Sequence, residues 1–212
     1  MAWAPATPLD EISLCAEFDL SRTPMRDILR ELAGEGYVHL RENKGAIVAP
    51  MDHMLIRSFF QTAPLIYATI SRLAAEQARP EQIDALAQIQ NNFKQAVADQ
   101  SVESMVYHND QFHHYMGVMA DNTYLMPSLQ RLLIDHARIG QTFWQGQSEA
   151  DINAMQEASA HHDQFIEVLA AGDGEAAVAL TWEHWELSRQ HMDRYVRPDP
   201  LPIYDEVSVA AS

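Results

Sequence analysis

From Asp52 to about Arg197 the chain carries a single secondary-structure period. Apolar residues return every three or four positions, and the interruptions are short: Arg79-Pro80, Asp99 to Ser101, Asp121-Asn122, Gln145 to Ser148 and Gly172-Asp173-Gly174. The pattern predicts roughly six helices of about 16 to 26 residues joined by short loops, which pack most simply as an antiparallel bundle. No run of about 18 apolar residues occurs, so no membrane span is expected. The opening Met1-Ala-Trp-Ala-Pro-Ala-Thr-Pro8 lacks the basic and long apolar parts of an export signal. One cysteine, Cys15, excludes an internal disulfide framework and a cysteine-based zinc finger, and a reducing, cytoplasmic location fits it. The tail, 198–212, is rich in Pro and acidic residues, has little to bury and reads as frayed.

The first fifty residues are organised differently. Leu9, Ile12, Ala16 and Phe18 form an amphipathic segment that stops at Asp19-Leu20. Ser21-Arg22-Thr23-Pro24 restarts the chain: Thr23 or Ser21 can cap a helix, Pro24 suits its first position, and Met25, Ile28, Leu29 and Leu32 follow at helical spacing. Gly34 and Gly36 end it. Tyr37 to Leu40 and Ala46 to Ala49 are short strand-like runs around Arg41-Glu-Asn-Lys-Gly45, whose residue types suit a hairpin turn. Helix, tight turn, helix and hairpin outline a winged helix-turn-helix over 1–50, ahead of an all-α region over 51–197. The fold class expected is therefore mainly α.

Net charge first argues against nucleic acid, because 30 acidic residues oppose 14 basic ones and the formal charge is −16. The charge is unevenly distributed, however: residues 21–50 carry a net of +1 and residues 51–212 a net of −13. Arg22, Arg26 and Arg30 recur every four residues and share one face of the second helix, from which guanidinium groups can reach phosphates or the O6/N7 edge of guanine. An arginine stripe also occurs on salt-bridged surface helices. The hairpin with Lys44-Gly45 that follows at once favours DNA, with Ser21 and Thr23 at the start of the same helix as further contacts.

Eight of the ten histidines fall between 108 and 191, and helical periodicity sorts them. Val102, Met105, Val106, Asn109, Phe112, His113, Met116 and Met119 share one apolar face, so Asn109 and His113 point inward, one turn apart. Asp110 and His114 belong to the solvated face. Met155, Ala158, His162, Phe165 and Leu169 place His162 inside with His161 at its edge, and Leu180, His184, Leu187, His191 and Tyr195 align on the last helix. Burying an imidazole without a partner costs about 1–3 kcal/mol. Three that converge, with an oxygen ligand one turn before the first, suit an N₃O site for zinc or another borderline divalent ion, with positions open to a ligand. His136 sits on an apolar face with Leu129, Leu132, Leu133, Gly140 and Phe143, either lining the same cavity or serving as a core residue.

Leu14-Cys-Ala-Glu-Phe-Asp-Leu-Ser-Arg-Thr-Pro-Met-Arg-Asp-Ile-Leu-Arg-Glu-Leu-Ala-Gly-Glu-Gly36, followed by Asn43-Lys-Gly-Ala-Ile-Val48, closely resembles the DNA-binding domain of GntR-type bacterial transcription regulators. The remainder resembles the all-helical FCD effector domain of the FadR subfamily, marked by Phe112-His113 with Asn122, then His162, Asp173 and His184. The resemblance implies that Asn109, His113, His162 and His184 bind a divalent metal, zinc first with nickel or manganese as alternatives, and that the metal holds a small carboxylate. It also implies a homodimer on operator DNA. Two positions depart from the family pattern. Its winged helix opens with a helix where this chain has only the eight residues before Leu9, so that helix is expected to be missing. The first effector-domain helix often carries an Arg and a Glu where this chain has Ala63-Pro-Leu-Ile-Tyr67. A carboxylate contact is then expected from Arg138 or Arg131, with His136 lining the cavity.

The function expected is a ligand-responsive transcription regulator, not an enzyme, answering to an organic-acid or sugar-acid effector. Two rivals stand beside it. One is a metal-dependent hydrolase or lyase on a helical bundle, disfavoured because Glu157, Glu167 and Glu183 lie off the inward faces and leave no obvious general base. The other is a metal and effector sensor that no longer binds DNA.

Overall fold

Two glycines and a handful of polar caps decide where the helices start and stop. In the computed structural model, which describes residues 3–42, 45–146 and 148–196, the elements are β1 Pro8–Leu9, α1 Glu11–Glu17, α2 Arg22–Glu35, β2 Val38–Arg41, β3 Gly45–Val48, α3 His53–Gln77, α4 Pro80–Ala98, α5 Val102–Met119, α6 Leu125–Trp144, α7 Glu149–Ala171 and α8 Gly174–Val196. Lys44, the tail 198–212 and the side chains of His191 and Tyr195 lie outside the described residues.

The N-terminal unit corrects three readings of the sequence. Leu9 is not helical: Pro8 and Leu9 pair antiparallel with Ile47 and Ala46, giving a three-stranded sheet in the order β1-β3-β2. Helix α1 starts only after Asp10, whose carboxylate accepts the Ser13 N–H. With just seven residues, α1 offers one buried side chain, Leu14, and Ile12 and Phe18 of the expected apolar face are exposed. Ser21 is the N-cap of α2 by backbone geometry, without a side-chain hydrogen bond, so Pro24 stands third in the helix. Proline is tolerated there because the first four N–H groups of a helix have no intrahelical partner anyway. Gly36 takes φ 99° and its N–H bonds Leu32 O, the left-handed stop that favours glycine. Leu14, Met25, Leu29 and Ala46 form the small core of this unit.

The six predicted bundle helices are present at the expected breaks. Asp52, Ser101 and Ser148 cap α3, α5 and α7 through side-chain oxygens, and Gly172, with φ 71°, ends α7. Helix α3 packs along α8, α4 against α5 and α7, and α5 against α6. One core runs through Phe59, Tyr67, Leu86, Phe112, Leu129 and Leu169, and a second through Phe93, Met105, Phe143, Trp144 and Met155. No helix among the described residues is long and apolar enough to cross a membrane.

Helix α6 ties the two parts together. Arg138 is buried, donates from Nη1 to Asp135 Oδ1 at 2.9 Å, and donates from Nη2 to the carbonyl of Ala49, just past β3. Arg131 donates to the other oxygen of Asp135 at 3.0 Å, and its guanidinium lies so close over Gly36 that any side chain there would collide with it. Asp135 is buried between the two arginines. Removing one partner of a buried pair leaves an uncompensated charge. Urea unfolding of Arg138→Ala is therefore expected to show a loss of about 3–5 kcal/mol, and Arg131→Ala, at a half-exposed position, a loss below about 1 kcal/mol.

Candidate metal centre and ligand cavity

The histidines converge because each occupies the inward register of its own helix. His113 on α5, His162 on α7 and His184 on α8 are buried, and one ring nitrogen from each lies within 4.8 Å of the others. Nε2 of His113, Nε2 of His162 and Nδ1 of His184 are buried and have no hydrogen-bond partner among the described residues. Asn109, 4% exposed and one turn before His113, lines the same cavity as His184.

Neighbouring side chains fix the imidazoles. Gln90 on α4 donates from Nε2 to the Ser159 carbonyl at 2.9 Å, which turns its Oε1 toward His162 Nδ1 at 3.1 Å. Because that oxygen only accepts, Nδ1 must carry the proton, and the Nε2 lone pair of His162 faces the cluster. Phe112 stacks on the His162 ring at 4.1 Å and 9°. Tyr67 on α3 shares a 2.9 Å hydrogen bond with His136 Nδ1 and meets the His113 ring edge-on at 5.3 Å. Burial pushes His162 down to about 3 and His136 to about 4, while burial and neighbouring imidazoles hold His113 and His184 well below the ordinary histidine range. The rings are neutral near pH 7, the form that donates lone pairs to a metal. The donor set fits a borderline divalent cation: three neutral imidazoles, each with one nitrogen lacking a hydrogen-bond partner among the described residues, and an amide oxygen.

The cavity itself is small, with about 20 Å³ of space, room for one or two waters. It is bounded by Asn109, His136 and His184 on the imidazole side and by Gly140, Trp144 and Ser188 beyond. Tyr67, Gln90 and Trp144 were not found by sequence reasoning. Their apolar or amide character blends into helix faces, and only the packing of α3, α4 and α6 brings them to the histidines.

His136 lines the cavity as one of the two readings had it. Arg131 and Arg138 do not. About half a turn around α6 from His136 and Gly140, they face a separate groove between α2, α5 and α6, where Asp135 and the Ala49 carbonyl occupy the Arg138 guanidinium ends. The two arginines expected to contact a carboxylate are thus not among the residues that line the cavity beside the imidazoles. Asp110 and His114 lie in the same outer groove, away from the three imidazoles. Glu157, Glu167 and Glu183 are exposed.

On the other unit, Ser21, Arg22, Thr23, Arg26 and Arg30 are all exposed along α2. Arg26 pairs with Glu11 at 3.0 Å and Arg30 with Asp27 at 2.8 Å, so two of the three arginines hold carboxylates on the surface of the free protein. Gly45, exposed with φ 72°, opens β3 directly after the hairpin turn, opposite Arg41.

A family model for the FCD domain matches residues 64–187, more than half of the chain and all the residues of the candidate centre. Among curated relatives, the HTH-type transcriptional repressor RspR of Escherichia coli K12 is 23% identical over 181 residues, 85% of this chain and 77% of the relative. The galactonate operon transcriptional repressor of the same strain is 25% identical over 201 residues, 84% of this chain and 85% of the relative. Among solved structures, E. coli McbR/YncC superposes with a TM-score of 0.76 at 16% identity over 90% of this chain and 87% of that one. A GntR transcriptional regulator from Rhodococcus sp. RHA1 gives 0.73 at 15% identity, covering 92% and 91%. The chain belongs to the FCD-domain family of GntR-type transcription regulators.

Proposed function

We propose that this regulator holds a divalent metal, zinc before nickel or manganese, on Asn109, His113, His162 and His184, and that a small carboxylic acid bound there alters its affinity for operator DNA. The observation that carries the reading is that three buried imidazoles bring one ring nitrogen each within 4.8 Å of the others, and that each ring has a buried nitrogen without a hydrogen-bond partner among the described residues. Leaving three such groups dry and unbonded is costly, and one cation relieves all three. The metal supplies a Lewis-acidic anchor for an anionic ligand. The rest is done by the chain: Gln90 orients His162, Phe112 and Tyr67 hold the rings in place, and the buried surroundings keep the imidazoles neutral. With Glu157, Glu167 and Glu183 exposed, none of these carboxylates faces the cavity as a base, which favours binding over hydrolysis or elimination.

Helix α6 offers the route from cavity to reading head. It lines the cavity with His136, Gly140 and Trp144, and its opposite side grips the Ala49 carbonyl and the end of α2 through Arg138 and Arg131. A ligand that displaces α6 biases where the winged helix sits, which in a homodimer changes the spacing of two recognition helices. On DNA, Arg22, Arg26 and Arg30 enter the major groove and exchange Glu11 and Asp27 for phosphate or guanine. Lys44 and Gly45 form the wing, and Ser21 and Thr23 sit at the helix start near the backbone.

Metal analysis after chelation and reloading tests the centre. One zinc per chain is expected for the wild type, with thermal stabilisation that grows with free zinc, about 2.7 kcal/mol at a hundred times the dissociation constant. His162→Ala is expected to abolish both, and a wild type that takes up no zinc, nickel or manganese overturns the proposal. For DNA, Arg30→Ala is expected to weaken binding to the chain's own upstream region about tenfold and to flatten its salt dependence, read by gel shift at several ionic strengths.

A further inference from the structure

A cation bound for the candidate centre has to cross the bundle, because His162 is fully buried and His113 and His184 nearly so. The cavity side is unfavourable. Beyond Asn109 and the histidines it is walled largely by Ile139, Phe143, Ala158 and Leu187, and no carboxylate lines it, so a hydrated ion there would shed water with no anionic ligand in exchange. The side where α7 meets α8 differs. His161, next to His162 on α7, is buried and lies outside the group of three; its Nδ1 is closed off and has no hydrogen-bond partner among the described residues. The ring faces α8, its centroid 5.6 Å from that of His184, which also has a buried Nδ1 without a partner among the described residues. Burial holds the His161 pKa below the ordinary histidine range, and against it act the carboxylates of Glu157, one turn earlier on α7, and Glu183, next to His184 on α8. Both glutamates are exposed.

From solvent inward, two carboxylates, His161 and His184 thus form one succession of groups that bind divalent ions, oxygen donors first and imidazole after. Packing alone does not explain His161, since an apolar side chain of its size would fill the place without burying a nitrogen that lacks a partner. We propose that His161, with Glu157 and Glu183, is a transient metal-binding station through which a divalent ion enters and leaves the centre between α7 and α8. The carboxylates draw the hydrated ion to the surface. His161 takes it up as a water departs, and His184 receives it before His161 lets go, so the charge is never buried without a ligand. His161 has no place in the ion's final surroundings and therefore acts on rates alone: entry and release change by the same factor, and the affinity, their ratio, stays. The inference rests on the metal reading above and adds a route to it.

The test uses the full chain stripped by chelation. Zinc uptake is followed by stopped flow with a chromophoric zinc indicator, release by adding excess chelator to the loaded chain, and affinity by competition with the indicator at equilibrium. His161→Phe, which keeps the ring volume, is expected to slow uptake and release alike by about tenfold, with the dissociation constant within about twofold of wild type. Glu157→Gln/Glu183→Gln, at two exposed positions, is expected to slow uptake about threefold at low salt, the difference fading as ionic strength rises. Wild-type rates in His161→Phe overturn the inference. So does faster release with unchanged uptake, which would make His161 part of the resident site, and so does wild-type uptake by the double variant at low salt. Should His161→Phe fail to fold, the double variant decides alone. All of these outcomes leave the metal reading standing. A wild type that takes up no divalent metal overturns both.

Discussion

Among the described residues, five imidazoles, His113, His136, His161, His162 and His184, are buried in the helical bundle. That is the constraint around which the domain is arranged. An apolar interior tolerates imidazole only as a neutral ring, and each ring still carries a donor and an acceptor nitrogen to satisfy. The chain meets part of the demand with its own groups: Gln90 for His162 and Tyr67 for His136. It leaves one buried nitrogen on each of His113, His162 and His184 without a hydrogen-bond partner among the described residues. Every helix of the bundle contributes, since α3 and α4 bring Tyr67 and Gln90, α6 brings His136, and α5, α7 and α8 bring the three converging rings. A disturbance at the centre is thus felt by all six.

Helix α6 turns this arrangement into a connection between domains. Its cavity side is apolar apart from His136 and the Trp144 N–H, while its outer side carries a buried Asp135 between buried Arg138, which reaches the carbonyl after β3, and half-exposed Arg131, which covers the glycine that ends α2. Buried ion pairs of this kind add little net stability over apolar packing, but their geometry is exacting. Here they hold the Arg138 guanidinium against the Ala49 carbonyl and the Arg131 guanidinium over Gly36. The arginines that a sequence reading assigns to the ligand hold Asp135 and, through Arg138, the Ala49 carbonyl. Charge alone cannot tell the two uses apart, because both need a guanidinium on α6.

The electrostatics follow the same division. The acidic excess resides in the bundle, and the reading head keeps a near-balanced local charge with its arginines engaged by Glu11 and Asp27 in the free state. Weak non-specific attraction to DNA is the expected consequence.

Periodicity by itself determined the helical domain, its breaks, and the inward placement of Asn109, His113, His162 and His184, because a 3.6-residue repeat fixes which side chains share a face. The Ser21 to Gly36 stretch and the hairpin residues likewise determined the reading head. The sequence could not determine that Leu9 joins a sheet, since a two-residue strand exists only through its partner β3. Nor could it show that α1 is too short to bury Ile12 and Phe18. Whether three inward faces meet at one point was likewise not readable along the chain. Periodicity sets the direction of a side chain relative to its own helix axis, whereas convergence and the opposite use of the two sides of α6 depend on how six axes pack. Only the tertiary structure decided these.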